Sequence, residues 1–220
     1  MFSTAEENYL KGIYKLQHGQ SSVSTNQLAE LLQTKPASVT EMLKRLQEKG
    51  MLQYERYYGV KLSKKGRAVA LSIVRRHRLW EFFLVNHLNF RWEEVHDIAE
   101  QLEHVQSDEL IEKLDAYLGF PRFDPHGDPI PDGDGGIPLR SQMRLSDLKT
   151  GVEGVICGVA DQSKDLLEML TQLKLHIGMA IIPVQRHNYD RSAQVKLADG
   201  EVLQVSEMLA RQIYVNPQTS

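Results

Sequence analysis

Apolar residues recur at helical spacing from residue 5 to 18. Tyr9, Ile13 and Leu16 share one face with Leu10 and Tyr14 beside them, which predicts a helix. Ser24 followed by Gln27 forms a capping box, and Leu28, Leu31 and Leu32 mark the helix it opens. Residues 33–36 interrupt that pattern; Pro36 suits the first turn of a third helix and Gly50 its end. Residues 51–56 and 60–62 flank Tyr57-Tyr58-Gly59 and read as a two-stranded hairpin, or wing. Two short helices joined by about three or four residues outline a helix-turn-helix. Helix, helix, helix, hairpin is the order of a winged helix.

Ser63 can cap a long helix from 64 to about 88, with Leu71, Val74, Leu79, Phe82, Phe83 and Val85 along one face. A further helix is expected over about 92–105, carrying Val95, Ile98, Ala99 and Leu102, and a shorter one from Ser107 through Leu118. Residues 119–141 are dense in Pro, Gly and Asp and read as a linker or an ordered series of turns. Beyond them the pattern turns β, with short strands at 154–159, 180–184, 193–197 and 202–205 and a helix near 162–173. The expected fold is mostly α with a β C-terminal domain: a winged-helix domain over 1–70, a helical domain with its Pro/Gly-rich linker over 71–140, and a small barrel over 141–220.

Composition narrows the class. No apolar run approaches the roughly 20 residues of a membrane span, and the N-terminus shows no secretion signal. A lone Cys157 fits a reducing, cytoplasmic setting. The formal net charge of −3 hides an asymmetry, because residues 1–75 hold 12 Lys/Arg against 6 Asp/Glu. A basic head on an acidic body suggests a polyanionic partner for the head. The third helix would then read double-stranded DNA. Lys35, Pro36, Ala37, Ser38, Thr40 and Glu41 lie at its N-terminal end, where base edges are reached. Lys44, Arg45 and the wing residues Arg56 and Lys61, with Lys64 and Lys65, would approach phosphates.

The chemistry concentrates between residues 77 and 104. On a helix, His96, Glu100, Glu103 and His104 share one narrow stripe, and His77 and Glu81 repeat the i, i+4 spacing earlier. The stripe carries two imidazoles and two carboxylates with no Lys or Arg among them, which suits a divalent transition metal. A zinc-protease arrangement is absent, since Asp97 follows His96 and position 100 is Glu. With no nucleophile–base pairing and no phosphate-cradling Gly loop, neither enzyme activity nor a small-molecule substrate is expected.

The order of winged helix, His77-Arg-Leu-Trp-Glu81, His96 through Glu103-His104-Val-Gln-Ser-Asp-Glu109, and Asp128-Pro-Ile-Pro131 resembles the diphtheria-toxin-repressor family of metal-dependent transcription regulators. The likeness runs through essentially the whole chain. The tail from about Met143 resembles the SH3-like domain, related to a small ferrous-transport protein, that ends the longer members. The resemblance implies a homodimer on a palindromic operator and a repressor of metal-uptake genes activated by Mn(II) or Fe(II). It implies a primary metal site of Asn8, Glu100, Glu103 and His104, and an ancillary site of His77, Glu81 and His96 with groups from the C-terminal domain. Trp80, Phe83, Leu110 and Leu114 are apolar candidates for the dimer face. Iron-type members carry Cys where this chain has Glu100, and the harder carboxylate leans toward Mn(II). Asn8 matches neither the Met of the iron type nor the Asp of the manganese type. Lys11 stands where small manganese-type members have another carboxylate. Asp124-Pro-His126-Gly sits where some relatives show Cys-Pro-His-Gly, so Asp124 and His126 could join Glu81 with Asp161 or Asp165. The alternatives are a metal-independent winged-helix DNA-binding protein with a structural metal or salt-bridge site, and a metal-storage or trafficking protein.

Overall fold

Capping fixes where the first helices begin. In this computed structural model, which describes residues 2–17, 22–55 and 59–218, Ser3 and Glu6 close a capping box at the start of α1 (Thr4–Leu16). Ser24 and Gln27 do the same for α2 (Thr25–Leu31), and Pro36 opens α3 (Pro36–Glu48). Val39, Leu43 and Leu46 turn inward from α3 to meet Leu10, Ile13 and Leu28 in one apolar core. Strands β1 (Leu52–Glu55) and β2 (Gly59–Leu62) pair antiparallel, with Leu52 opposite Leu62. Gly59 takes φ +113°, and a Cβ there would stand 2.1 Å from the Val23 carbonyl oxygen, so only glycine allows Val23 to bridge to Val60. The wing residue Arg56 lies outside the described residues.

Helix α4 (Lys64–Leu88) follows, then α5 (His96–Leu102) and α6 (Asp108–Tyr117). Helix α5 is shorter than the periodicity predicts. Residues 92–94 form a turn, with Glu94 N–H donating to the Arg91 carbonyl, and Glu103 and His104 lie in the turn that ends the helix. The four residues of the ligand stripe therefore do not lie on one uninterrupted helix. The chain forms two compact units: residues 1–80, 99–117 and 130–137 make the first, and 81–98, 118–129 and 138–220 the second.

The Pro/Gly-rich stretch is an ordered series of turns rather than a spacer. Phe123 bridges to Pro129, and Asp124 Oδ1 accepts from the backbone N–H groups of His126 and Asp128, both at 2.9 Å. Asp132 Oδ1 serves Asp134 and Gly136 in the same way.

The second unit contains a six-stranded antiparallel sheet. Its strands are β3 (Met143–Arg144), β4 (Gly154–Val159), β5 (Ala180–Arg186), β6 (Ala193–Leu197), β7 (Val202–Val205) and β8 (Ile213–Pro217). They lie in the order β3-β8-β4-β5-β6-β7, with α7 (Lys164–Gln172) and α8 (Glu207–Ala210) as the helices. The expected barrel is thus a sheet with two edges, one of them the two-residue β3, among the described residues. Strand β8 was not foreseen. It is only five residues long and ends in Asn-Pro, yet it buries Ile213 and Val215 completely between β3 and β4.

Candidate metal centres and nucleic-acid interface

In the first unit, helix α1 directs Glu7 and Lys11, one turn apart, into the interior, where both are buried. Helix α4 contributes Arg76 and His77, and the turn after α5 contributes Glu103 and His104. Glu103 is 1% exposed, and Lys11 Nζ lies 2.6 Å from its Oε2. His77 Nδ1 is also 2.6 Å from Glu103 Oε2. The ionised carboxylate can only accept, so Nδ1 carries a proton. Burial pushes the Glu103 carboxyl up, but His77 and Lys11 outweigh it and hold the group below the usual carboxylate range. Glu7 forms a second knot: its Oε2 meets His104 Nδ1 at 2.5 Å and its Oε1 meets Arg76 at 3.0 Å. Arg76 Nε in turn donates to the Glu103 carbonyl at 2.6 Å.

The implied primary set is only partly gathered. Glu103 Oε1 and His104 Nε2 are 3.8 Å apart. Glu100 is half exposed and reaches Lys11 at 3.5 Å. Asn8 is exposed and lines a shallow cavity with Lys11, Gly12, Lys15, Gln33 and Glu100. Glu7, one position earlier on α1, points to the buried side instead. The sequence reading missed Glu7; the available signal was its i, i+4 spacing to Lys11 across from the acidic stripe.

The second unit holds a tighter donor set. Glu81, Asp124 and His126 are all buried, and one ligand atom from each lies within 4.8 Å of the others. Glu81 Oε2 faces His126 Nδ1 at 3.7 Å, while Glu81 Oε1 faces His96 Nδ1 at 3.3 Å. His126 is 1% exposed, and its Nε2 lies 2.8 Å from the Trp92 carbonyl oxygen. That carbonyl accepts only, so Nε2 carries a proton, and Nδ1 is the nitrogen that faces Glu81 and becomes free to ligate when the imidazolium gives up its second proton. Nδ1 is buried and makes no hydrogen bond. A ligating histidine is held in the same way, by a carbonyl accepting the opposite ring N–H. Burial works against the imidazolium, yet Glu81, Asp124 and the Trp92 carbonyl raise the His126 pKa to about 9, so the set attracts positive charge. Two carboxylates and an oriented imidazole fit a hard or borderline divalent ion. Asp124 Oδ1 is committed to the turn, which leaves Oδ2 as the ligand-capable oxygen. Asp161 instead caps its own turn through Ser163, and Asp165 is exposed on α7. Gly127, at φ +88°, would place a Cβ 2.1 Å from the Cys157 carbonyl oxygen, so glycine is required where this loop meets β4.

The N-terminal half of α3 is a solvent-facing surface. Lys35, Pro36, Ala37, Ser38, Thr40, Glu41, Lys44 and Arg45 are all exposed, and Lys61 on β2 is half-buried. Thr40 Oγ1 donates to the Pro36 carbonyl at 3.0 Å, so its hydroxyl is used within the helix. Arg45 pairs with Glu41 at 2.8 Å one turn away. A basic, exposed helix with small side chains near its start can enter a major groove.

Three family descriptions match consecutive segments: an iron dependent repressor N-terminal DNA binding domain over residues 1–60, an iron dependent repressor metal binding and dimerisation domain over 63–132, and a FeoA domain over 143–217. The chain is 31% identical over 177 residues to the iron-dependent repressor IdeR of Mycobacterium leprae, covering 76% of this chain and 77% of that protein. This chain belongs to the iron-dependent repressor family. Its members are metal-dependent, DNA-binding transcriptional repressors. The repressor is also 36% identical over 142 residues to the diphtheria toxin repressor of Corynebacterium jeikeium, covering 63% of this chain and 59% of that one. A solved manganese-dependent transcriptional repressor in complex with manganese superposes with a TM-score of 0.83 at 36% identity, over 97% of this chain and all of that one. None of the helices among the described residues is long and apolar enough to cross a membrane.

Proposed function

We propose that this chain represses metal-uptake genes in the cytoplasm and that Mn(II) or Fe(II) switches it on. It acts as a homodimer on a palindromic operator and catalyses no reaction. The ion is held in the second unit by Glu81, Asp124 and His126, with His96 at the open side. A second ion is held in the first unit by Glu103 and His104, with Glu100 and Asn8 at the exposed edge. His77 positions Glu103 there through its Nδ1–H. All these donors are oxygen or imidazole nitrogen, and the single thiol, Cys157, takes no part, which favours harder ions. The carrying observation is His126 Nδ1: buried, oriented by the Trp92 carbonyl, and aimed at two carboxylates.

A bound divalent ion would supply the positive charge that neutralises the facing carboxylates. The residues of the chain do the rest. Glu103 and His104 hold the turn after α5 against α1, which belongs to the same winged-helix unit as the reading helix α3. Ion binding shifts the repressor toward its DNA-competent arrangement only if these donors bind the ion better there. Moving the balance from 1:99 to 99:1 needs about 5.5 kcal/mol of such preference. For the dimer face, Leu110 is 40% exposed, whereas Leu114 is already buried within the chain.

A second reading draws on the Lys11–Glu103, Arg76–Glu7 and Glu7–His104 pairs, which tie α1 to α4 and to the turn after α5 with no ion. In it, the DNA-binding arrangement forms without metal. Operator binding by fluorescence anisotropy, after chelation and then with added Mn(II), Fe(II) or Zn(II), separates the two. Metal-dependent affinity that is lost in His126→Ala and Glu103→Gln supports the first; unchanged affinity after chelation overturns it.

A further inference from the structure

Lys11 does something in the first cluster that a metal ligand cannot. Its ammonium sits 2.6 Å from Glu103 Oε2, 3.5 Å from Glu100 Oε1 and 3.4 Å from His77 Nδ1, with the side chain 6% exposed. The contact with His77 is proximity rather than a hydrogen bond, because His77 Nδ1 already carries the proton it shares with Glu103. A cation therefore stands where two carboxylates and an imidazole converge. We propose that the Lys11 ammonium is a tethered competitor of the activating ion, holding Glu103 and Glu100 in the metal-free repressor and setting the metal concentration at which the first cluster loads. This rests on the reading that Glu103 belongs to an ion-binding cluster.

The physical basis is repulsion. An ion ligated by Glu103 would stand close to the ammonium held 2.6 Å from its Oε2, and two like charges at that range in a buried site repel. Loading is easier once Lys11 swings away. Space for it lies beside the site, in the shallow cavity of about 260 Å³ that Lys11 lines together with Asn8, Lys15 and Glu100. Lys11 is thus a positioning residue that sets a threshold.

The test is titration of the metal-free protein with Mn(II) by calorimetry, read as the number of ions and their Kd. In Lys11→Met the competitor is gone while the stem's volume remains. This variant is expected to bind the first-cluster ion at least tenfold more tightly, or to take up one ion that the wild type does not, and Glu103→Gln in the same background should abolish that gain. Lys11→Arg keeps the charge and should show no gain; Lys11→Gln, which removes the charge and keeps a polar side chain, is read in place of Lys11→Met if that variant fails to fold. A gain in Lys11→Arg equal to that in Lys11→Met, or no gain in a folded Lys11→Met, overturns the proposal. The underlying reading fails in a different way: the ion count would then not respond to Glu103→Gln or His104→Ala in either background.

Discussion

His126 Nε2 meets the carbonyl oxygen of Trp92 at 2.8 Å, and this one contact decides which ring nitrogen can serve a metal. Nδ1 is left buried and directed at Glu81. His126→Ala should therefore remove one ion per chain, seen as a lower stoichiometry in Mn(II) calorimetry. Full stoichiometry in a folded His126→Ala would show that the second-unit set holds no ion.

The same ring makes a pH prediction for the metal-free protein. The unperturbed imidazole titrates near 6.5, and the folded one near 9. The folded state therefore binds the extra proton between these values. The stabilisation is fully present below pH 6.5 and is lost as pH rises through 9. Melting temperature should fall over that window, and His126→Gln should flatten the slope. Metal uptake at pH 7 should also release about one proton from this ring, measurable from the buffer dependence of the calorimetric heat.

Gly127 controls the position of the His126 loop. Alanine there must adopt φ +88° and place its Cβ against the Cys157 carbonyl oxygen. A loss of about 2–4 kcal/mol in denaturant unfolding is expected, with weakened metal binding in whatever folds. A neutral Gly127→Ala would mean the loop can back away from β4 at no cost.

Glu7 carries three partners, Arg76, His104 and Gln106, in a setting nearly closed to water. Glu7→Ala leaves Arg76 without its carboxylate and should cost about 3–5 kcal/mol of stability in urea unfolding. Asn8→Ala, one position away and exposed, should cost under about 0.5 kcal/mol. A reversal of that order would put the weight of α1 on the wrong face.

On α3, Lys44 is exposed and has the reach of a phosphate contact. Lys44→Ala should weaken operator and non-operator DNA alike and reduce the slope of log K against log salt by about 1. Selective loss on the operator alone would instead mark Lys44 as a reader of bases.

Much of this was legible because it is local. The Ser24–Gln27 box, Pro36 at the head of α3, and the strands at 154–159, 193–197 and 202–205 depend on neighbours within a few residues or on simple alternation. The periodicity overran at α5, where residues 92–94 turn before the helix starts and Glu103 lies beyond its end. Strand β8 escaped because its five residues are a strand only when β3 and β4 flank them.

The sequence alone determined the helix-turn-helix order, the basic reading face and the kinds of donor atom on offer, since backbone preference, charge and side-chain chemistry belong to each residue. Tertiary structure decided which donors meet. It chose Glu7 over Asn8 for His104 across 97 residues, seated the Lys11 ammonium on Glu103, and drew His126 out of a Pro/Gly-rich turn to face Glu81. Those choices rest on burial and on opposite charges brought together by the folded chain, and neither exists until distant segments pack.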